Sequence, residues 1–209
     1  MIQKLTFGEP FLETRYIEKE SDYTVSGRCL LVNLDTEQPI GMEGGFSLPP
    51  LQVCKAYDAT IHVPGKALLI SHFGTLDPND LQTLDVLRTV WKSNYALTHE
   101  EKQRGVPYYK SPKITLGKAT MNFCLVAEPN CPSGIHREHD RPIRELHVQV
   151  AGDGAVDLLR SADHAELFDS LPLTAGSVHT ATWNERGEYP WHRYRSKSRC
   201  IFLAVSIEE

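Results

Sequence analysis

Short apolar runs, broken every few positions by Gly, Pro, Asn or Asp, dominate the chain and predict a mainly β protein. Candidate strands cover 23–33, 51–63, 67–73, 119–127, 145–151, 155–159, 177–183 and 199–206, and the Gly- and Pro-rich stretch 41–50 reads as a loop. Alternation is clearest in 145–151. If Glu145 points into a core, His147 and Gln149 share its face, while Leu146, Val148 and Val150 face the other way and need a cover of their own. One segment has the helical period instead. Asp77 offers an N-cap and Pro78 a first helical position, and Leu84, Leu87, Trp91 and Tyr95 follow three or four residues apart. The spacing predicts a helix over 78–97, packed outside a sheet. The expected division is a β-rich N-terminal extension over 1–118, a degenerate second barrel in one reading, and a barrel over 119–209.

Composition narrows the class. With 209 residues, 41% apolar and 23% charged, the chain suits one large domain or a barrel with an extension. A formal charge of −5 without a long Lys/Arg run gives no reason to expect a nucleic-acid partner. The basic alternation of Arg193, Arg195, Lys197 and Arg199 reads as one solvated face of a strand. Five cysteines without a C-x-x-C, and no N-x-S/T acceptor, suit reduced thiols and a cytoplasmic protein. No signal-like N-terminus and no apolar run of the roughly 20 residues a bilayer span needs are present, so no membrane partner is expected.

Candidate chemistry is concentrated after Gly134. His136 and His139 are followed by Glu145, His147, Gln149 and Gly152, then by Gly176 and His179, then by Pro190, His192, Tyr194 and Ser196. Neutral imidazole and carboxylate together suit Fe, Ni, Mn or Zn in the divalent state, and three or four such groups leave positions open to water or substrate. His62, His72, His99 and His164 lack ligand-like spacing and read as structural or solvated. No G-x-G-x-x-G, P-loop or G-x-S-x-G pattern occurs.

In these residues the sequence resembles the cupin superfamily, over roughly 119–207. Its first motif has two close histidines, then a glutamate, then six residues and a glycine, which Glu145 to Gly152 matches. Its second has a glycine turn, a proline and a histidine before a final strand, which Gly176, Pro190 and His192 fit with an insertion between the first two. The first pair is spaced H-x-x-H here rather than H-x-H, so His136, His139 or both are candidate ligands.

The resemblance implies a jelly-roll barrel holding one divalent metal, Fe(II) favoured and Zn, Ni or Mn possible. The ligands would come from His136, His139, Glu145 and His192, with His179 in reserve. It implies a mononuclear iron dioxygenase acting on a small organic molecule. The alternatives are a lyase, isomerase or cyclase using the metal as a Lewis acid, or a non-catalytic binder. His147 and Tyr194 would then handle protons or orient substrate, with Gln149, His179 and Ser196 contacting it. A homodimer is expected by the same analogy.

Overall fold

The computed structural model describes residues 1–92, 108–137, 143–162, 166–180 and 190–208. The chain divides into two compact units, one of Met1–Leu76 with Gly176–Val178 and one of Asp77–Ala175 with His179–Glu209. The boundary lies at Leu76 rather than at 118, because the strands around 108–116 pair onto the second unit's sheet.

The first unit contains β1 (Ile2–Leu5), β2 (Glu13–Thr24), β3 (Arg28–Asn33), β4 (Ile40–Met42), β5 (Ser47–Leu48), β6 (Val53–Tyr57) and β7 (Thr60–Ser71). They form one antiparallel sheet ordered β1-β2-β7-β3-β6, with the β4–β5 hairpin attached to β7. The stretch expected as a loop over 41–50 thus contains a hairpin, whose Ile40 and Leu48 reach the core beside Leu31, Ile61 and Val63. The expected run 23–33 breaks at Gly27, where a left-handed turn (φ 71°) is held by its N–H donating to Asp58 Oδ1 at 2.6 Å. His62 and His72 are both exposed, in keeping with a structural reading.

The second unit opens on a helix, α1 (Leu81–Val90). It is shorter than the periodicity predicts. Asp77 Oδ1 accepts from the Asn79 N–H in a local turn, so Asp80 becomes the N-cap and accepts from the Thr83 N–H at 2.8 Å. Trp91 then turns extended (φ −95°, ψ 111°) and ends it, and residues 93–97 lie outside the described residues. The buried side of α1 carries Leu84 and Leu87.

Strands β8 (Tyr108–Lys110), β9 (Ile114–Leu116), β10 (Ala119–Val126), β11 (Ile143–Ala151), β12 (Gly154–Leu159), β13 (Leu167–Leu173), β14 (Val178–Thr180), β15 (Trp191–Ser196) and β16 (Cys200–Glu208) complete the unit's sheets. One sheet runs β14-β11-β16-β10, with β8 and β9 added on β10. The other runs β13-β12-β15, and isolated bridges from Pro132 to Arg195 and from His136 to His192 add the 132–136 segment as a fourth member. Two such four-membered sheets, with consecutive strands passing between them, are the jelly-roll arrangement. Their inner faces share one core of Cys124, Val126, Val156, Leu158, Tyr194 and Phe202.

The alternation in β11 holds. Glu145, His147 and Gln149 lie opposite Ser206, Ala204 and Phe202 on the inner face. Leu146 and Val148 lie opposite Val205 and Leu203 on the outer face, and all four of these are buried. Trp91 supplies part of that outer cover by stacking on Phe123, with ring centroids 5.8 Å apart. The outer face of β15 departs from simple solvation. Arg193 and Arg195 both engage the buried Asp157 of β12, Arg195 through two bonds of 2.8 Å.

Gly152 turns the chain from β11 into β12 at φ 66°, and a Cβ there would strike the Arg199 carbonyl oxygen and come within 2.9 Å of the Cys200 Cα. Backbone atoms cannot move aside as a flexible side chain does. Gly152→Ala should therefore cost about 2–4 kcal/mol, the sum of left-handed strain and overpacking, read as a lower midpoint in urea with unchanged slope.

Candidate metal centre

Three ligand-type side chains converge from the two facing sheets. His136 and His192 are brought together by the backbone, since each donates its N–H to the other's carbonyl, at 3.0 and 2.9 Å. That antiparallel pairing sets both side chains on one face, and their rings meet edge-on with centroids 4.1 Å apart. Glu145 enters from β11. Its Oε2 lies 3.5 Å from both His136 Nε2 and His192 Nε2. All three ligand atoms fall within 4.8 Å of one another.

The tautomers suit coordination. His136 Nδ1 lies 3.3 Å from the Gly134 carbonyl oxygen, and His192 Nδ1 lies 3.1 Å from that of Pro190. A carbonyl only accepts, so each Nδ1 carries a proton, and each Nε2 faces Glu145: it donates to the carboxylate while protonated and offers its lone pair to a metal once that proton has left. Two imidazoles and one carboxylate on one side of a point form the donor set that non-haem Fe(II) sites use, with further positions open. The residues therefore fit a divalent metal. His192 is inaccessible, whereas His136 is about one-third exposed and marks the open side.

The electrostatics agree with a site built around one negative charge. Burial alone would raise the Glu145 pKa, but the charge of His147 and hydrogen bonds from His136 and His192 outweigh it and hold the carboxyl well below its usual range. The hydrogen bond to Glu145 raises His136 in turn, against the effect of burial.

Of the predicted ligands, His136, Glu145 and His192 come together, and His139 lies outside the described residues, as do His99 and His164. His147 borders the cluster, its Nε2 lying 3.9 Å from Glu145 Oε1. His179 is not among the three convergent ligands; its ring faces His147 at a centroid distance of 6.3 Å.

The other three predicted contacts are turned to internal work. Tyr194 is 2% exposed and donates to Gln149 Oε1 at 2.9 Å, and its hydroxyl also lies 3.1 Å from Cys200 Sγ. Burial pushes its pKa far up, which removes it as a base. The Gln149 amide nitrogen donates to the Ala151 and Gly152 carbonyls, so this side chain braces the β11–β12 turn. Ser196 donates to the Glu128 carbonyl and accepts from the Cys131 N–H, tying the 128–131 turn to β15. Sequence alternation says which face a residue occupies and cannot say that its polar atoms are already bonded.

No family model matches the chain, and no curated protein does. Among solved structures it is similar to a sugar phosphate isomerase from a cupin superfamily of Silicibacter pomeroyi (14% identity, 60% of this chain and 74% of that one, TM-score 0.41). It is also similar to an RmlC-like cupin from Desulfovibrio desulfuricans (12%, 56% and 96%, TM-score 0.37). A third is a Cupin 2 conserved barrel domain protein from Leptotrichia buccalis (8%, 100% and 88%, TM-score 0.38). Likeness at these levels carries no argument about activity. On its own strand order and the placement of its motif residues, the second unit has the cupin fold, within no particular family of it.

Proposed function

We propose that the protein is a metal-dependent enzyme acting on a small organic molecule, with His136, Glu145 and His192 holding one divalent ion. The observation that carries this reading is the convergence of two Nε2 atoms and one carboxylate within 4.8 Å, from both sheets of the jelly roll. That donor set favours Fe(II) and a dioxygenase reaction over Zn, Ni or Mn. The metal, when bound, supplies a site where substrate and oxygen are activated together. The chain supplies the rest. The Gly134 and Pro190 carbonyls fix both imidazoles, and His147 stands where it can take or return a proton.

A second reading, a lyase or isomerase with the metal as Lewis acid, is favoured by the imidazoles of His147 and His179 beside the cluster, since proton transfer suits neutral histidines. No helix among the described residues is long and apolar enough to cross a membrane, and all five cysteines are free thiols. A homodimer is our proposal from the resemblance, and a cytoplasmic location our proposal from the cysteine usage.

Anaerobic loading with Fe(II), followed by oxygen uptake on a panel of small acids and phenols, separates these readings. Iron- and substrate-dependent uptake supports the dioxygenase. Turnover without oxygen uptake moves the protein to the Lewis-acid class, and tight binding without turnover to the non-catalytic one.

A further inference from the structure

His179 has no internal explanation as a structural residue. It is 5% exposed, and neither ring nitrogen has a hydrogen-bond partner among the described residues. Polar atoms buried this deeply are almost always bonded, to protein or to a trapped small molecule. The ring of His147 lies 6.3 Å away between centroids and is tilted by 37°. The two rings are not bonded to each other, since both His179 nitrogens lack a partner among the described residues. The gap adjoins the metal cluster, because His147 Nε2 lies 3.9 Å from Glu145 Oε1.

We propose that His147 and His179 clamp a hydroxyl group of the substrate while a second oxygen, on the neighbouring carbon, faces the metal. The substrate class is therefore a compound with two oxygen functions on adjacent carbons, at least one of them a hydroxyl. An imidazole pair can offer a donor from one ring and an acceptor from the other, which matches a hydroxyl, a group that both donates and accepts; a carboxylate or phosphate only accepts. Burial above all, helped by the nearby His147 and His192, lowers the His179 pKa to about 4, so its ring is neutral at pH 7.

This inference rests on the metal reading, and its test separates the two. The zinc-loaded protein would be titrated by NMR with cis-cyclohexane-1,2-diol and with cyclohexanol, alongside His179→Leu and His179→Gln. Wild type is expected to prefer the diol by about 10-fold or more, the Leu variant to lose that preference, and the Gln variant, which keeps a donor and an acceptor, to retain part of it. Zinc stoichiometry should be the same in all three. Equal binding of diol and alcohol by wild type, or an undiminished preference in His179→Leu, overturns the clamp and leaves the metal site standing. Failure of wild type to take up zinc overturns the metal reading and the clamp with it.

Discussion

Replacing Glu145 with alanine is expected to weaken zinc(II) binding by at least about 100-fold, because residues that merely orient a ligand already account for 10- to 100-fold in metal affinity. Among the described residues Glu145 is the only carboxylate of the cluster, and both histidine Nε2 atoms aim at its Oε2. Its loss leaves two neutral imidazoles and no charge to offset the ion. The same change is visible in stability. Zinc at 100 times its dissociation constant should stabilise wild type by about 2.7 kcal/mol, or roughly 5–10 °C in Tm for a chain of this size, and should leave Glu145→Ala unmoved. Calorimetric titration and a melt with and without zinc read both effects. A Glu145→Ala protein that still binds zinc like wild type would mean that the carboxylate is a bystander.

The second large effect concerns stability against acid. His179 has a folded pKa of about 4 against an ordinary 6.5, so as pH falls the unfolded chain takes up its proton first. The contribution of neutral His179 is therefore complete above pH 6.5 and is lost between about 6.5 and about 4, a swing of about 3 kcal/mol. His179→Leu removes that proton-binding site. It also removes two buried ring nitrogens that lack hydrogen-bond partners among the described residues, at a benefit of about 1–3 kcal/mol at any pH. The variant should thus be more stable than wild type at pH 7, and the gap should widen to about 5 kcal/mol at pH 4. Urea unfolding of the zinc-free proteins at the two pH values measures it. A variant less stable than wild type, or a gap independent of pH, would show that His179 has a structural partner.

Where the sequence was legible, a strand had one clean inner face. In β11 the period of two holds from Glu145 to Gln149, before the register shift ahead of Ala151, and the side chains of Glu145 and His147 could be assigned to a face from the sequence. The strand β2 was not legible. Its pairing with β7 shifts register between Glu18 and Tyr23, and Lys19 and Asp22 take positive φ values of 49° and 57°, so its alternation slips inside the strand. Strand β13 was hidden by Pro172, which is tolerated there because, among the described residues, β13 pairs only with β12 and forms an edge.

The site divides in the same way. Glu145 and His192 followed from motif order, whereas the meeting of His136 with His192 depends on a bridge between a loop segment and β15 that no local pattern announces. Gln149, Tyr194 and Ser196, expected to meet the substrate, each bond other parts of the fold here. The feature that could have separated them from His179 is hydrogen-bond satisfaction, which exists only in three dimensions.

Anomalous diffraction from crystals grown with zinc, recorded on both sides of the metal's absorption edge, tests the central claim most directly. One peak per chain is expected, within about 2.2 Å of His136 Nε2, His192 Nε2 and a Glu145 oxygen, and no peak between His147 and His179. A peak on any other set of side chains, or none in protein saturated with zinc, would contradict it.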